Sequence, residues 1–181
     1  FQTLQKDGHI VLNGDDDKLC TVEGYNGIKP VFFGLNKDRD VYADEIVSKG
    51  LKGMECSIHL GEQSFRVLIP MPGIHMVYNA LAAACVGHIY GLTIEEIKAG
   101  IESLEEISGR FKMIETDKML IVDDCYNANP MSMKASLDVL HDGSGRRVAI
   151  LGDMGELGEN ETALHEEVGA HAAVCGIDVC V

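Results

Sequence analysis

From residue 119 onward, short apolar runs alternate with segments of 3.6-residue apolar periodicity, and few folds accept that alternation. Residues 119–123, 147–151 and 178–181 read as strands. Between them, residues 130–141 set Met133, Leu137 and Leu140 on one helical face. Residues 162–175 do the same with Leu164, Val168, Ala172 and Cys175. A β-α-β-α-β order of this kind implies a parallel sheet with right-handed crossovers. The carboxyl ends of the strands then share one edge, where open α/β sheets bind ligands.

The first of those ends is the most informative run in the chain, Ile121-Val122-Asp123-Asp124-Cys125-Tyr126-Asn127-Ala128-Asn129-Pro130. Asn129 is a good N-cap and Pro130 a natural first helical residue. The polar cluster therefore lies beside a helix N-terminus, where anions are favoured. Two adjacent acids repel unless a cation, a sugar hydroxyl or a basic partner is present. The next strand runs into Gly152-Asp153-Met154-Gly155-Glu156-Leu157-Gly158. Two polar, ligand-capable loops on adjacent strand ends are a stronger signal than either alone; the alternative is that Asp153 and Glu156 cap the following helix and the glycines only make turns.

Residues 1–106 are organised differently. Phe1 enters sequence that reads as helix, and strands follow at 9–13 and 30–34. Residues 55–60 and 64–70 flank Gly61-Glu62-Gln63 and read as a hairpin. Asp15-Asp16-Asp17 reads as a solvated turn, since it lacks the ligand spacing of a calcium loop. Two helices come next. In the first, Val77, Leu81, Ala84, Cys85 and His88 share a face, and His75 and Asn79 lie near its start. The second opens with the capping box Thr93-Ile94-Glu95-Glu96 and carries the stripe Ile94, Ile97, Ile101, Leu104. A boundary is expected between 106 and 107, just before Gly109-Arg110-Phe111, where an arginine could reach a phosphate bidentately.

Charge narrows the function. The net charge is −14, divided equally between 1–106 and 107–181. No basic footprint for a nucleic acid exists, although Mg²⁺ can bridge acids to the phosphates of a nucleotide. No apolar run approaches the roughly 18–20 residues that span a bilayer. The six cysteines form no C-x-x-C pair, as expected for free thiols in a reducing cytosol. His165 and His171 do not share a helix face, so no metal site is expected. Neither a G-x-x-x-x-G-K-[ST] loop nor a G-x-G-x-x-G turn occurs, which removes a phosphate-cradling loop and a dinucleotide site from this stretch. The missing start methionine and the final strand suggest a fragment of a longer protein.

Taken together, Gly73-Ile74-His75-Met76-Val77-Tyr78-Asn79-Ala80-Leu81-Ala82-Ala83, Gly109-Arg110-Phe111, the 123–130 run and Leu151-Gly152-Asp153-Met154-Gly155-Glu156-Leu157-Gly158 resemble the Mur ligases in order and spacing. The resemblance covers nearly the whole chain. It implies an α/β fold: the remainder of a central ATPase domain (strands, hairpin, two helices) over 1–106, then a truncated Rossmann-like parallel-sheet C-terminal domain over 107–181. Tyr-Asn-Ala-Asn and Gly-Asp-Met-x-Glu-Leu-Gly point, within that family, to the member that joins D-alanyl-D-alanine to UDP-N-acetylmuramoyl-tripeptide. The implied chemistry uses ATP and Mg²⁺ to make an acyl phosphate, which the dipeptide amine attacks. The resemblance assigns His75, Asn79, Arg110 and Asp124 to the nucleotide, with Asn79 on the adenine and Asp124 on the ribose. Tyr126, Asn127, Asn129, Asp153 and Glu156 would face the substrates, at one wall of an interdomain cleft.

The resemblance also implies a monomeric cytoplasmic enzyme. Its catalytic lysine, phosphate loop and magnesium ligands would lie upstream of Phe1, so this chain alone is expected to be inactive. One departure stands out: Met76 occupies a position where many relatives carry asparagine. Two other readings compete. Asp123, Asp124 and Asp153 could form the Mg²⁺ pocket of a receiver-like signalling module, but no later strand ends in lysine. A non-catalytic α/β binding domain would leave ATP turnover indifferent to Asp124.

Overall fold

The computed structural model describes residues 3–105 and 107–181. Phe1, Gln2 and Glu106 lie outside the described residues, and with them the start of the expected N-terminal helix and the expected boundary. Two compact units are present. One comprises Phe1–Lys49, Gly53–Pro70 and Ile74–Leu104; the other comprises Gly50–Lys52, Met71–Gly73 and Glu105–Val181.

The first unit is a five-stranded sheet in sequence order: β1 (Ile10–Asn13), β2 (Pro30–Gly34), β3 (Val41–Ser48), β4 (Met54–Leu60) and β5 (Gln63–Ile69). β1, β2 and β3 are parallel, and β4 and β5 continue antiparallel. Strict alternation sends Met54, Cys56, Ile58 and Leu60 of β4 inward, beside Phe65, Val67 and Ile69 of β5. Helix α1 (Ile74–Ile89) supplies Val77, Leu81, Ala84 and Cys85 to the same core. Helix α2 (Ile94–Glu102) is capped reciprocally by Thr93 and Glu96, as its sequence predicts, and buries Ile97 and Ile101.

Three expectations change here. Residues 3–8 form turns and coil rather than helix. His88 is exposed. The long strand β3 was not anticipated, because Asp44 and Glu45 interrupt its apolar pattern. Asp44 points outward to Lys37 and His59, at 2.9 and 2.8 Å. Glu45 has φ +49° where the register shifts between Asp44 and Val47. This bulge breaks the period-2 alternation that a strand assignment needs.

In the second unit, β6 (Lys112–Glu115) and β7 (Leu120–Asp123) form an antiparallel hairpin. Helix α3 (Pro130–His141), β8 (Val148–Ala149), α4 (Glu161–Val174) and β9 (Val179–Cys180) follow, with β8 and β9 parallel. The core is Leu137, Ala149, Met154, Val168, Ala172 and Cys175, flanked by Met133, Leu140, Leu151 and Leu157. The expected β-α-β-α-β order is present, but the ladder of β7 runs to β6 rather than to β8 among the described pairings. A four-residue strand that opens on lysine carries too little pattern to be seen in sequence. Leu120 and Ile121 consequently remain exposed on their hairpin.

Candidate functional site

Two loops of the second unit are locked together by the acid pair. The Asp123 carboxylate accepts the Gly109 N–H at 3.1 Å. Asp124 accepts the Phe111 N–H at 3.1 Å through one oxygen and the Ser136 hydroxyl at 2.5 Å through the other. The Tyr126 N–H returns to the Gly109 carbonyl at 3.0 Å. The Gly109-Arg110-Phe111 turn needs this support. Gly109 has φ +74°, and Phe111 has φ +56° with its ring buried. A bulky residue is strained in the left-handed region, and such strain persists only where the surroundings enforce it.

This clamp sets the backbone on both sides of Arg110, whose side chain is exposed. Its guanidinium carbon lies 4.0 Å from the centre of the Tyr126 ring, a cation–π contact on a mostly exposed tyrosine. The Cys125 thiol and the Gly109 N–H hold the Asp123 carboxyl below the usual carboxylate range. The same contact with Asp123 raises the Cys125 thiol. Asp123 is thus occupied on its own loop. Asp124 also joins two segments, yet a carboxylate offers about four acceptor positions, and two are used among the described residues.

Asn129 caps α3: its side-chain oxygen accepts the Ser132 N–H at 2.9 Å, and the Ser132 hydroxyl accepts the Asn129 N–H at 3.1 Å. Asn127 is exposed beside it. In the following loop neither Asp153 nor Glu156 caps a helix, for α4 has Asn160 at its N-cap with no side-chain cap bond. Both are exposed, and Glu156 has φ +60°. The loop is anchored by Met154, buried to 2% exposure. Its N–H donates to His165 Nε2 at 3.1 Å. His165 Nδ1 donates to the Glu161 carbonyl at 2.9 Å, which fixes the neutral tautomer.

In the first unit, His75 lies half-buried in the first turn of α1. Asn79 is exposed, and its amide donates to Met76 Sδ at 3.5 Å. The departure at Met76 thus becomes a contact with the asparagine itself. Asn79 borders a cavity of about 250 Å³ whose walls are almost wholly apolar, including Ala80, Ala83, Ile97 and Ile101. A residue missed in sequence stands nearby. Asp15 accepts the Leu35 N–H at 2.6 Å, Arg39 Nε at 3.1 Å and the Tyr78 hydroxyl at 3.1 Å. It ties the end of β1 to the β2–β3 loop and to α1. Glycine is required at Gly34, where a Cβ would meet the Asp15 carboxylate at 2.5 Å.

The cysteines are free; Cys56, Cys85 and Cys175 are buried and Cys20, Cys125 and Cys180 exposed. Burial pushes Cys56 up to about 11 and Cys85 up to about 12, which makes both inert as nucleophiles.

Two family profiles match the chain: the Mur ligase middle domain over residues 1–87, and the Mur ligase glutamate ligase domain over residues 109–181. The UDP-N-acetylmuramoyl-tripeptide–D-alanyl-D-alanine ligase of Escherichia coli is 35% identical over 98% of this chain and 40% of its own length. The Bacillus subtilis enzyme of the same name is 34% identical over 92% of this chain and 36% of its own. A crystal structure of MurF from Acinetobacter baumannii superposes with a TM-score of 0.90 at 30% identity, over 99% of this chain and 39% of that one. MurF of Thermotoga maritima, solved in complex with ADP, gives 0.76 at 26% identity, over 94% of this chain and 43% of that one. The chain thus spans about 40% of the length of these relatives. The receiver-like reading is set aside by these matches. Chain order, motif blocks and backbone agree: the chain belongs to the Mur ligase family and carries sequence of its middle and glutamate ligase domains.

Proposed function

We propose that this chain is part of an ATP-dependent ligase that joins D-alanyl-D-alanine to UDP-N-acetylmuramoyl-tripeptide in peptidoglycan precursor synthesis. The observation that carries the proposal is the clamp of Gly109-Arg110-Phe111 onto Asp123-Asp124-Cys125-Tyr126. It holds an exposed guanidinium over an aromatic face and leaves a carboxylate with spare acceptors. A guanidinium binds phosphate oxygens bidentately. The acceptor positions of Asp124 beyond those two bonds suit vicinal ribose hydroxyls. Asn79 keeps its amide oxygen and one N–H for an adenine edge, beside apolar surface suited to a ring. His75 stands one turn earlier on the same helix.

Tyr126, Asn127, Asp153 and Glu156 are exposed on their loops and are assigned to the substrates; Asn129 adds only its amide N–H groups, its oxygen being spent on the cap. Bound ATP would supply the phosphoryl group that activates the tripeptide carboxylate. The residues here orient the nucleotide and compensate charge rather than perform covalent chemistry. Mg²⁺ demands oxygen ligands in octahedral geometry, and the one cluster of His, Cys and acidic side chains among the described residues does not fit it. We assign Mg²⁺ no residue of this chain.

Residues 1–106 are proposed as the C-terminal portion of the ATP-binding domain and 107–181 as the first part of the ligase domain, in a monomeric cytoplasmic enzyme. Among the described residues no helix is long and apolar enough to cross a membrane. The test is steady-state kinetics of the full-length enzyme, following phosphate release that needs both substrates. Arg110→Ala and Asp124→Ala are expected to raise KM for ATP and lower kcat/KM by about 10²-fold, a loss of about 2.7 kcal/mol. Unchanged turnover in both would sink the reading. The 181-residue chain alone is expected to release no phosphate.

A further inference from the structure

The C-terminal parts of α3 and α4 bring three ligand-capable side chains to one point. His171 Nε2 donates to Asp138 Oδ1 at 2.7 Å, and the Cys175 thiol donates to the same oxygen at 3.5 Å. All three ligand atoms lie within 4.8 Å of one another. His171 and Cys175 are four residues apart and so share a face, one turn apart; Asp138 reaches them from α3. Cys175 is buried, His171 half-buried and Asp138 exposed, so the cluster is closed toward the core and open toward solvent.

We infer that Asp138, His171 and Cys175 form a binding site for a divalent transition metal, zinc by its donor set. Imidazole, thiolate and carboxylate together suit Zn²⁺, whereas Mg²⁺ and Ca²⁺ take oxygen ligands. Bonds of about 2.0–2.3 Å in a tetrahedron separate ligand atoms by about 3.3–3.8 Å. The present separations, 2.7 and 3.5 Å from Asp138 and all within 4.8 Å, bracket that spacing. On binding, the thiol loses its proton to solvent, and the neutral imidazole carries its proton on Nδ1, freeing Nε2 for the metal. Water completes the fourth position.

The helix end favours a cation, although Arg147 stands nearby against His141. Cys175 is the C-cap of α4, where backbone carbonyls carry the negative end of the helix dipole. Its own carbonyl already accepts His141 Nδ1–H at 2.7 Å, which steadies the ligand turn. A bound ion would cross-link α3 to α4. None of the three residues enters the nucleotide proposal, so the two stand or fall separately. The competing description is a hydrogen-bonded brace that holds no ion.

Cobalt titration of the 181-residue chain separates the two. One Co²⁺ per chain is expected, with thiolate-to-cobalt charge-transfer absorption that equimolar Zn²⁺ abolishes and millimolar Mg²⁺ leaves unchanged. Cys175→Ser removes the band, and His171→Ala and Asp138→Asn each weaken affinity at least about tenfold. Cys20→Ser, Cys125→Ser and Cys180→Ser, on the exposed thiols, leave it intact. Absence of the band in the parent chain, or its survival in Cys175→Ser, overturns the site. Should circular dichroism show that Cys175→Ser is unfolded, unchanged affinity in the other two variants overturns it instead.

Discussion

Ladders hold the first unit, while single side chains hold the functional loops of the second. In the first, β4 and β5 share seven register pairs and the sheet continues through five strands. In the second, the longest ladder among the described residues has four pairs, and β8 and β9 share two. There the Gly109–Phe111 turn depends on Asp123 and Asp124, the Met154 loop on His165, and the start of α3 on Asn129. A sheet averages over many bonds and resists the loss of one. A loop held by one carboxylate can be aimed, and it is correspondingly easy to misaim. The candidate ligand groups are densest where the scaffold is thinnest, as expected when function is carried on loops.

Core substitution gives the largest contrast. Leu81 is fully buried in the first unit, and Leu81→Ala is expected to cost about 2–5 kcal/mol in urea unfolding. Leu120, 42% exposed on the β6–β7 hairpin, should cost less than about 1 kcal/mol when changed to alanine. Similar losses at the two positions would mean that the hairpin is buried as deeply as the sheet.

Next in size is the clamp. Asp124→Ala leaves the Phe111 N–H and the Ser136 hydroxyl without their acceptor, a loss of about 1–3 kcal/mol. The effect should be local. Amide exchange at Phe111 and Tyr126 accelerates, while amides of β4 and β5 keep their protection. Acceleration throughout both units would show that the clamp is part of a global core rather than a loop support.

The helix start is worth less. Asn129→Ala removes a cap worth about 1 kcal/mol, and Asn129→Asp should restore it. Circular dichroism melts of the two variants check this. Recovery by aspartate but not by glutamine would identify the short side-chain acceptor as the operative group.

The same contrast explains what the sequence could disclose. Caps are local: Thr93 and Glu96, or Asn129 and Pro130, announce their helices within four residues, and the structure places those helices where the pattern does. The hairpin of β4 and β5 was legible because strict alternation meets a glycine turn. β3 was not, because its bulge at Glu45 breaks the period. β6 was too short to carry a pattern. The polar run at 123–129 is legible as a candidate site, but the partners of its side chains are not. The bond from Asp124 to Ser136 and the contact of Arg110 with Tyr126 join residues 12 and 16 positions apart, and no spacing rule covers either. Asp15 was read as a solvated turn because its three partners, Leu35, Arg39 and Tyr78, lie on other elements. His171 and Cys175 have a legible i, i+4 spacing, yet their meeting with Asp138 depends on how α3 packs on α4.

Asp15 offers the smallest expected effect and the sharpest test, because it is a single polar brace inside the ladder-rich unit. Partial burial disfavours its charge, but the Leu35 N–H, Arg39 and Tyr78 outweigh that and hold its carboxyl below the ordinary range. A carboxyl depressed in the folded state stabilises folding above its unfolded value of about 3.9, and that contribution fades as pH falls through the folded value. Asp15→Asn keeps the shape and removes the charge. The variant should therefore unfold at slightly lower urea than the parent at pH 7, and the gap should close as pH falls below about 4. A gap that stays constant across the acid range would mean that the shape of the side chain, not its charge, matters at this junction. A gap as large as that of Leu81→Ala would break the comparison itself, for it would make the first unit as dependent on one carboxylate as the loops of the second.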